Sequence, residues 1–83
     1  MVEISEEQKE KIREYYKEKL NVPNLEFEAL NNKFINIYSD EINLNDVQPG
    51  MEDLEFIEKI LNAKFQGIKN TTGKFYFNFR FNE

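Results

Sequence analysis

In the segment Lys74-Phe75-Tyr76-Phe77-Asn78-Phe79-Arg80-Phe81-Asn82, phenylalanine occupies every second position, four times in succession. Side chains alternate across an extended strand, so this segment carries one wholly aromatic face and one polar face. Burying four such rings releases roughly 6–12 kcal/mol of gross transfer free energy. The strand is therefore expected at the centre of the core, its phenylalanine side laid against helices from earlier in the chain.

Those helices are legible upstream. Ser5 and Gln8 have the spacing of a capping box, and Glu6 and Glu7 sit where a helix dipole favours acids. Ile12, Tyr15, Tyr16 and Leu20 fall on one arc, Asn21 suits a left-handed terminus, and Pro23 forbids continuation. A helix over 6–20 is expected. A second is expected over about 51–63, after Pro49-Gly50, with Leu54, Ile57, Ile60 and Leu61 as its stripe. Phe65 joins that stripe if the helix runs on, and Phe56 lies off its centre.

Two strands lie between the helices. Leu25–Ala29 and Phe34–Tyr38 alternate, with Asn31-Asn32 as a turn. A two-residue loop would set Phe27 opposite Asn36 and mix the two faces. An odd loop, Asn31-Asn32-Lys33, sets Ala29 opposite Ile35 and Phe27 opposite Ile37, apolar with apolar. That register is expected, at the cost of a positive φ at Lys33. Ser39 to Gly50 reads as a polar connection. Residues 64–69 either extend the second helix or form a strand that turns through Asn70-Thr71-Thr72-Gly73 into the closing one. The fold class is α+β over residues 1–83 as a single small domain. It comprises an antiparallel sheet of three or four strands with two α-helices packed on one face, in the order αββαβ or αββαββ.

Eighty-three residues form one domain, and 25 of them are Leu, Ile, Val or Phe, enough to fold by packing alone. Cysteine and histidine are both absent, which excludes disulfide frameworks, zinc fingers and haem attachment. No apolar run is long enough to span a membrane, and the acidic start lacks the features of a signal peptide. A cytoplasmic protein is expected, without membrane association. The abundance of Asn, Lys, Ile and Phe suggests an AT-rich genome, such as that of a low-GC bacterium, its phage or an archaeal virus.

Charge is segregated along the chain. Residues 34–58 hold seven acids (Asp40, Glu41, Asp46, Glu52, Asp53, Glu55, Glu58) and no base, while 59–82 hold five bases and no acid. The formal net charge is −5. An acidic surface repels nucleic acid and membranes and attracts basic proteins. A solvated surface that keeps a small domain soluble would carry the same pattern.

Chemistry is sparse by comparison. Common acid–base and thiol nucleophiles are missing, Ser5 is better used as a cap, and Ser39 has no evident base. The three glycines are isolated, so no phosphate loop exists, and no cofactor motif is present. An EF-hand register starting at Glu41 places Asp46 where glycine belongs and Pro49 at the ninth position, so no metal loop is expected. The closing strand also departs from the aromatic strand of RNA-recognition sheets. Tyr76 stands where that motif needs a small residue, the strand ends the chain, and Glu26 and Glu28 are poor company for phosphates. Direct nucleic-acid binding ranks last. Tyr76, Asn78 and Arg80 should share the second sheet face with Leu30, Phe34 and Tyr38, a contact surface unless the 40–50 connection covers it.

In bulk character (small, acidic, α+β, without cysteine or histidine) the chain resembles phage-encoded inhibitors of host nucleic-acid machinery, such as anti-CRISPR and anti-restriction proteins. The likeness is one of size and composition, and no residue carries over from it. It implies a non-catalytic, acidic protein-binding module that occupies a basic, nucleic-acid-binding surface of its target by mimicry. The residues expected to carry binding are Asp40, Glu41, Asp46, Glu52, Asp53 and Glu55, with Tyr38 and Phe56 as aromatic anchors. The alternative is a structural protein that forms a homodimer by edge pairing of its C-terminal strand.

Overall fold

The computed structural model describes residues 4–71 and 73–82. Its elements run α1 (Glu6–Leu20), β1 (Leu25–Leu30), β2 (Phe34–Ser39), a single 3-10 turn (Leu44–Asp46), α2 (Met51–Leu61), β3 (Ala63–Thr71) and β4 (Lys74–Phe81). The chain is a small α+β domain in the order αββαββ, with a four-stranded antiparallel sheet.

Helix α1 begins and ends as its residues dictate. The Ser5 hydroxyl accepts from the Gln8 amide at 3.1 Å, and the Gln8 side chain accepts from the Ser5 amide at 2.9 Å. Asn21 closes the helix in the left-handed region at φ 59°. Gln8 also donates through Nε2 to the Ile60 carbonyl at 2.8 Å, near the far end of α2. Tyr15 and Tyr16 meanwhile bond to Asp53 in the first turn of α2, so the helices run antiparallel.

The β1–β2 hairpin has the odd loop, with Ala29 opposite Ile35 and Phe27 opposite Ile37. Positive φ falls on Asn31 (54°) and Asn32 (60°) rather than on Lys33. Asparagine tolerates that region better than lysine, because its short amide can bond locally. Helix α2 stops at Leu61, where Asn62 turns left-handed at φ 52°. Phe65 therefore belongs to β3 instead of to a helical stripe. Thr71 pairs with Lys74, so Asn70 and Thr71 of the expected turn belong to β3; Thr72 lies outside the described residues.

A bulge between Phe65 and Gly67 inserts Gln66 into β3. The extra residue resets the alternation, so Phe65 opposes Phe79 and Ile68 opposes Phe77, both on the core side. Gly67 sits at φ 130°, a conformation open in practice only to glycine.

The strand order is β1-β2-β4-β3, so the closing strand β4 is internal, flanked by β2 and β3. The C-terminal strand is therefore not the sheet edge that the homodimer alternative required: it pairs with β3 from Lys74 to Phe81 and with β2 from Phe77 to Arg80. Phe77, Phe79 and Phe81 are buried against Ile12, Tyr16, Ile57 and Leu61 of the helices, and Phe75 is half-buried. The 40–50 connection is less polar than its composition suggests. Leu44 is wholly buried in the core, and Val47 packs there too. The connection thus closes over the phenylalanine side and leaves the opposite face of the sheet open.

Candidate functional site

The eight residues singled out from the sequence do not share one surface. Asp53 is only 7% exposed and holds the start of α2 together. Its Oδ2 accepts from the Gly50 amide at 2.9 Å, its Oδ1 from the Tyr15 hydroxyl at 2.6 Å, and its carbonyl from the Tyr16 hydroxyl at 3.0 Å. A carboxylate with both oxygens committed inside the fold is not free for a partner, so Asp53 leaves the contact set. Phe56 stacks on Tyr15, centroids 4.1 Å apart and planes 13° from parallel. It is an α1–α2 packing residue, half-buried.

Those bonds reshape the phenols. Donation to Asp53 raises the Tyr15 pKa to about 12, with burial and the charges of Asp53 and Glu52 adding to it. Burial drives Tyr16 higher still. Tyr38 is also raised, first by burial and then by the Asp40 charge.

Asp40 and Glu41 stand beyond the end of β2. Asp40 pairs with Lys74 at 3.7 Å, both side chains more than half exposed (59% and 56%), and Glu41 accepts from the Asn24 side chain. With Ser39, Gly73 and Phe75 they line a shallow pocket of about 180 Å³. Asp46, Glu52 and Glu55 remain exposed around α2 and make no salt bridge among the described residues. Beside them Met51 is 79% exposed, at the mouth of an open pocket of about 760 Å³ with Glu55, Glu58, Lys59 and Lys64 in its wall. Sequence reasoning passed over Met51, because three residues before Leu54 it reads as an extension of the buried stripe.

Tyr38 is elsewhere, on the open side of the sheet. There it meets Tyr76 edge-on at 5.2 Å, with the Lys74 ammonium 5.1 Å from its ring centre. Strand pairing brings further residues to this face that the sequence holds far apart. Phe34 opposes Arg80, Asn36 opposes Asn78, Lys64 opposes Arg80, and Lys69 opposes Tyr76.

Both serines are engaged with backbone. Ser5 caps α1, and the Ser39 hydroxyl donates to the Pro23 carbonyl at 2.7 Å while accepting from Glu41 and Ile42. No helix among the described residues is long and apolar enough to cross a membrane. Comparison with known protein families, curated proteins and solved structures found nothing that matches this chain.

Proposed function

We propose that this chain is a non-catalytic binding module whose α2 side contacts a protein with a basic surface. The observation that carries the reading is Met51, an apolar side chain 79% exposed, with the exposed carboxylates Glu52 and Glu55 on the same helix. Methionine is an adaptable anchor at protein contacts, and a rim of carboxylates selects lysine and arginine on the other side. Asp46 is exposed in the 3-10 turn that precedes α2 and adds to the acidic charge of the chain. Asp40 and Glu41 form a lesser acidic group, part of whose charge Lys74 already neutralises.

Inhibition is the natural use of such a surface. Carboxylates set where phosphates would lie compete for arginines and lysines of a nucleic-acid-handling protein in the cytoplasm. This is the mode that the resemblance to phage-encoded inhibitors implies.

The test is capture of the partner from a lysate, followed by titration calorimetry with the intact chain, Met51→Ala and Glu52→Lys/Glu55→Lys. The expected result is at least about tenfold weaker binding for the double reversal, with wild-type affinity falling as salt rises. Unchanged affinity in both variants, at low and high salt alike, defeats the reading.

A further inference from the structure

The open face of the sheet is built unlike the rest of the molecule. Its central strands present Phe34, Tyr38 and Tyr76, all half-buried, and its β3–β4 half presents Lys64, Lys69, Lys74 and Arg80, all exposed. Among the described residues, Lys64, Lys69 and Arg80 make no salt bridge. Acids on this face are Glu26 and Glu28, and they lie on β1, with β2 between them and β4. The net negative charge of the chain resides chiefly on the helical side, leaving a local cationic field over β3 and β4.

The rows are regular. Phe34/Arg80, Asn36/Asn78 and Tyr38/Tyr76 follow one another along β2 and β4, about 7 Å apart. Lysine already sits over the aromatic rings, Lys69 Nζ 5.6 Å from the Phe34 centroid and Lys74 Nζ 5.1 Å from that of Tyr38. Ammonium and ring are thus interleaved at a spacing that suits alternating phosphate and base. In the middle row, Asn78 is 1% exposed and donates through Nδ2 to Asn36 Oδ1 at 2.7 Å. Its Oδ1 has no hydrogen-bond partner among the described residues. The large hydrophobics that are exposed, Met51 and Ile68, lie outside this face.

We infer that this face binds a short single-stranded nucleic acid. Bases stack on Phe34, Tyr38 and Tyr76, and phosphates are held by Lys64, Lys69 and Arg80. Two sequence-level objections to such binding lose their force in the fold. Strand β4 is internal although it closes the chain, and Glu26 and Glu28 are two strands away from it. The phenylalanine quartet, which faces the core, was the wrong set of rings to compare with a stacking platform. The inference rests on the sheet face and not on the α2 surface, the two meeting at Lys64, which also lines the Met51 pocket.

The experiment is fluorescence anisotropy with labelled 12-mers of oligo(dT) and oligo(U), alongside a 12-base-pair duplex, at low salt. The expected result is single-strand binding in the micromolar range, with a log–log salt slope of roughly −2 for three phosphate contacts. The chain has no tryptophan, and Tyr15 and Tyr16 belong to the helical side, so quenching of tyrosine emission reports Tyr38 and Tyr76. Lys69→Glu/Arg80→Glu should weaken binding at least tenfold, and Tyr38→Leu/Tyr76→Leu should remove the quenching. Far-ultraviolet circular dichroism checks that each variant is folded. Glu52→Lys/Glu55→Lys should bind the oligonucleotides as well as the parent chain or better, which separates this surface from the acidic one. The inference is overturned by no anisotropy change with either single strand at about 100 μM protein, the weak end of non-specific affinity. Equal binding of duplex, or binding that the Lys69/Arg80 reversal leaves intact, overturns it too. So does a result in which sheet-face variants lose only a protein partner.

Discussion

The hydroxyl of Tyr15 lies 2.6 Å from Oδ1 of Asp53, a bond that joins the last turns of α1 to the first turn of α2. Because Oδ2 of the same carboxylate holds the Gly50 amide, Asp53 couples helix packing to helix initiation. Asp53→Ala should cost about 2–4 kcal/mol by urea denaturation, since a charged acceptor and a cap vanish together. The adjacent, exposed Glu52→Ala should change stability by less than about 0.5 kcal/mol.

Alkaline pH should unfold the chain in steps traceable to the same tyrosines. The unfolded phenols titrate near 10, whereas Tyr15 is raised to about 12 and Tyr16 beyond it. Between those values the unfolded chain has released protons that the folded chain retains, so stability falls as pH rises. The contribution is fully present below pH 10 and is lost through the folded pKa. Urea midpoints measured from pH 8 to 11.5 should fall steeply above 10, and less steeply in Tyr16→Phe.

Phe79 is wholly buried on the central strand, whereas Phe75 is only partly so. Phe79→Ala should cost about 3–5 kcal/mol, enough to leave much of so small a domain unfolded at 25 °C. Phe75→Ala should cost roughly half as much. Comparable losses from the two would contradict the burial gradient along β4.

The outer edge of the sheet at β3 is guarded by Glu58, whose Oε2 accepts from the Phe65 amide at 2.8 Å. Freeing that amide exposes an unpaired donor on an edge strand, an invitation to pairing between molecules. Glu58→Ala should raise the weight-average mass in sedimentation at high concentration. Glu58→Gln, which keeps an acceptor oxygen, should stay close to the parent.

Gly67→Ala tests the bulge. A Cβ there would meet no atom within 4 Å, so the whole cost comes from a φ of 130°. Thermal unfolding should report a loss of about 1–3 kcal/mol. The substitution should also loosen Ile68 from Phe77, visible as broadened methyl resonances.

Several features were readable because they are local. The Ser5–Gln8 box, the Asn21 stop and the alternation of β1, β2 and β4 each depend on neighbours within a few residues. The hairpin register was recoverable for a related reason: a slip by one residue would have turned Phe27 or Ile37 to solvent. Asp53 was misjudged because its role depends on Tyr15 and Tyr16, 38 and 37 residues away. Within a run of acids, nothing local distinguished it from Glu52 or Glu55.

Apart from residues 64–69, which it left open between helix and strand, the sequence alone determined which segments are helical or extended and which side of each is apolar, because hydrophobic periodicity and capping act over one or two turns. Strand order was beyond its reach. The internal place of β4 follows from which hairpin edges meet, a choice settled by long-range burial of Phe77 and Phe79 against Ile35, Ile37 and the helices. That same choice gathers Phe34, Tyr38 and Tyr76 with Lys64, Lys69 and Arg80 on one face. Side chains up to 46 residues apart in the chain thereby become neighbours on a single surface.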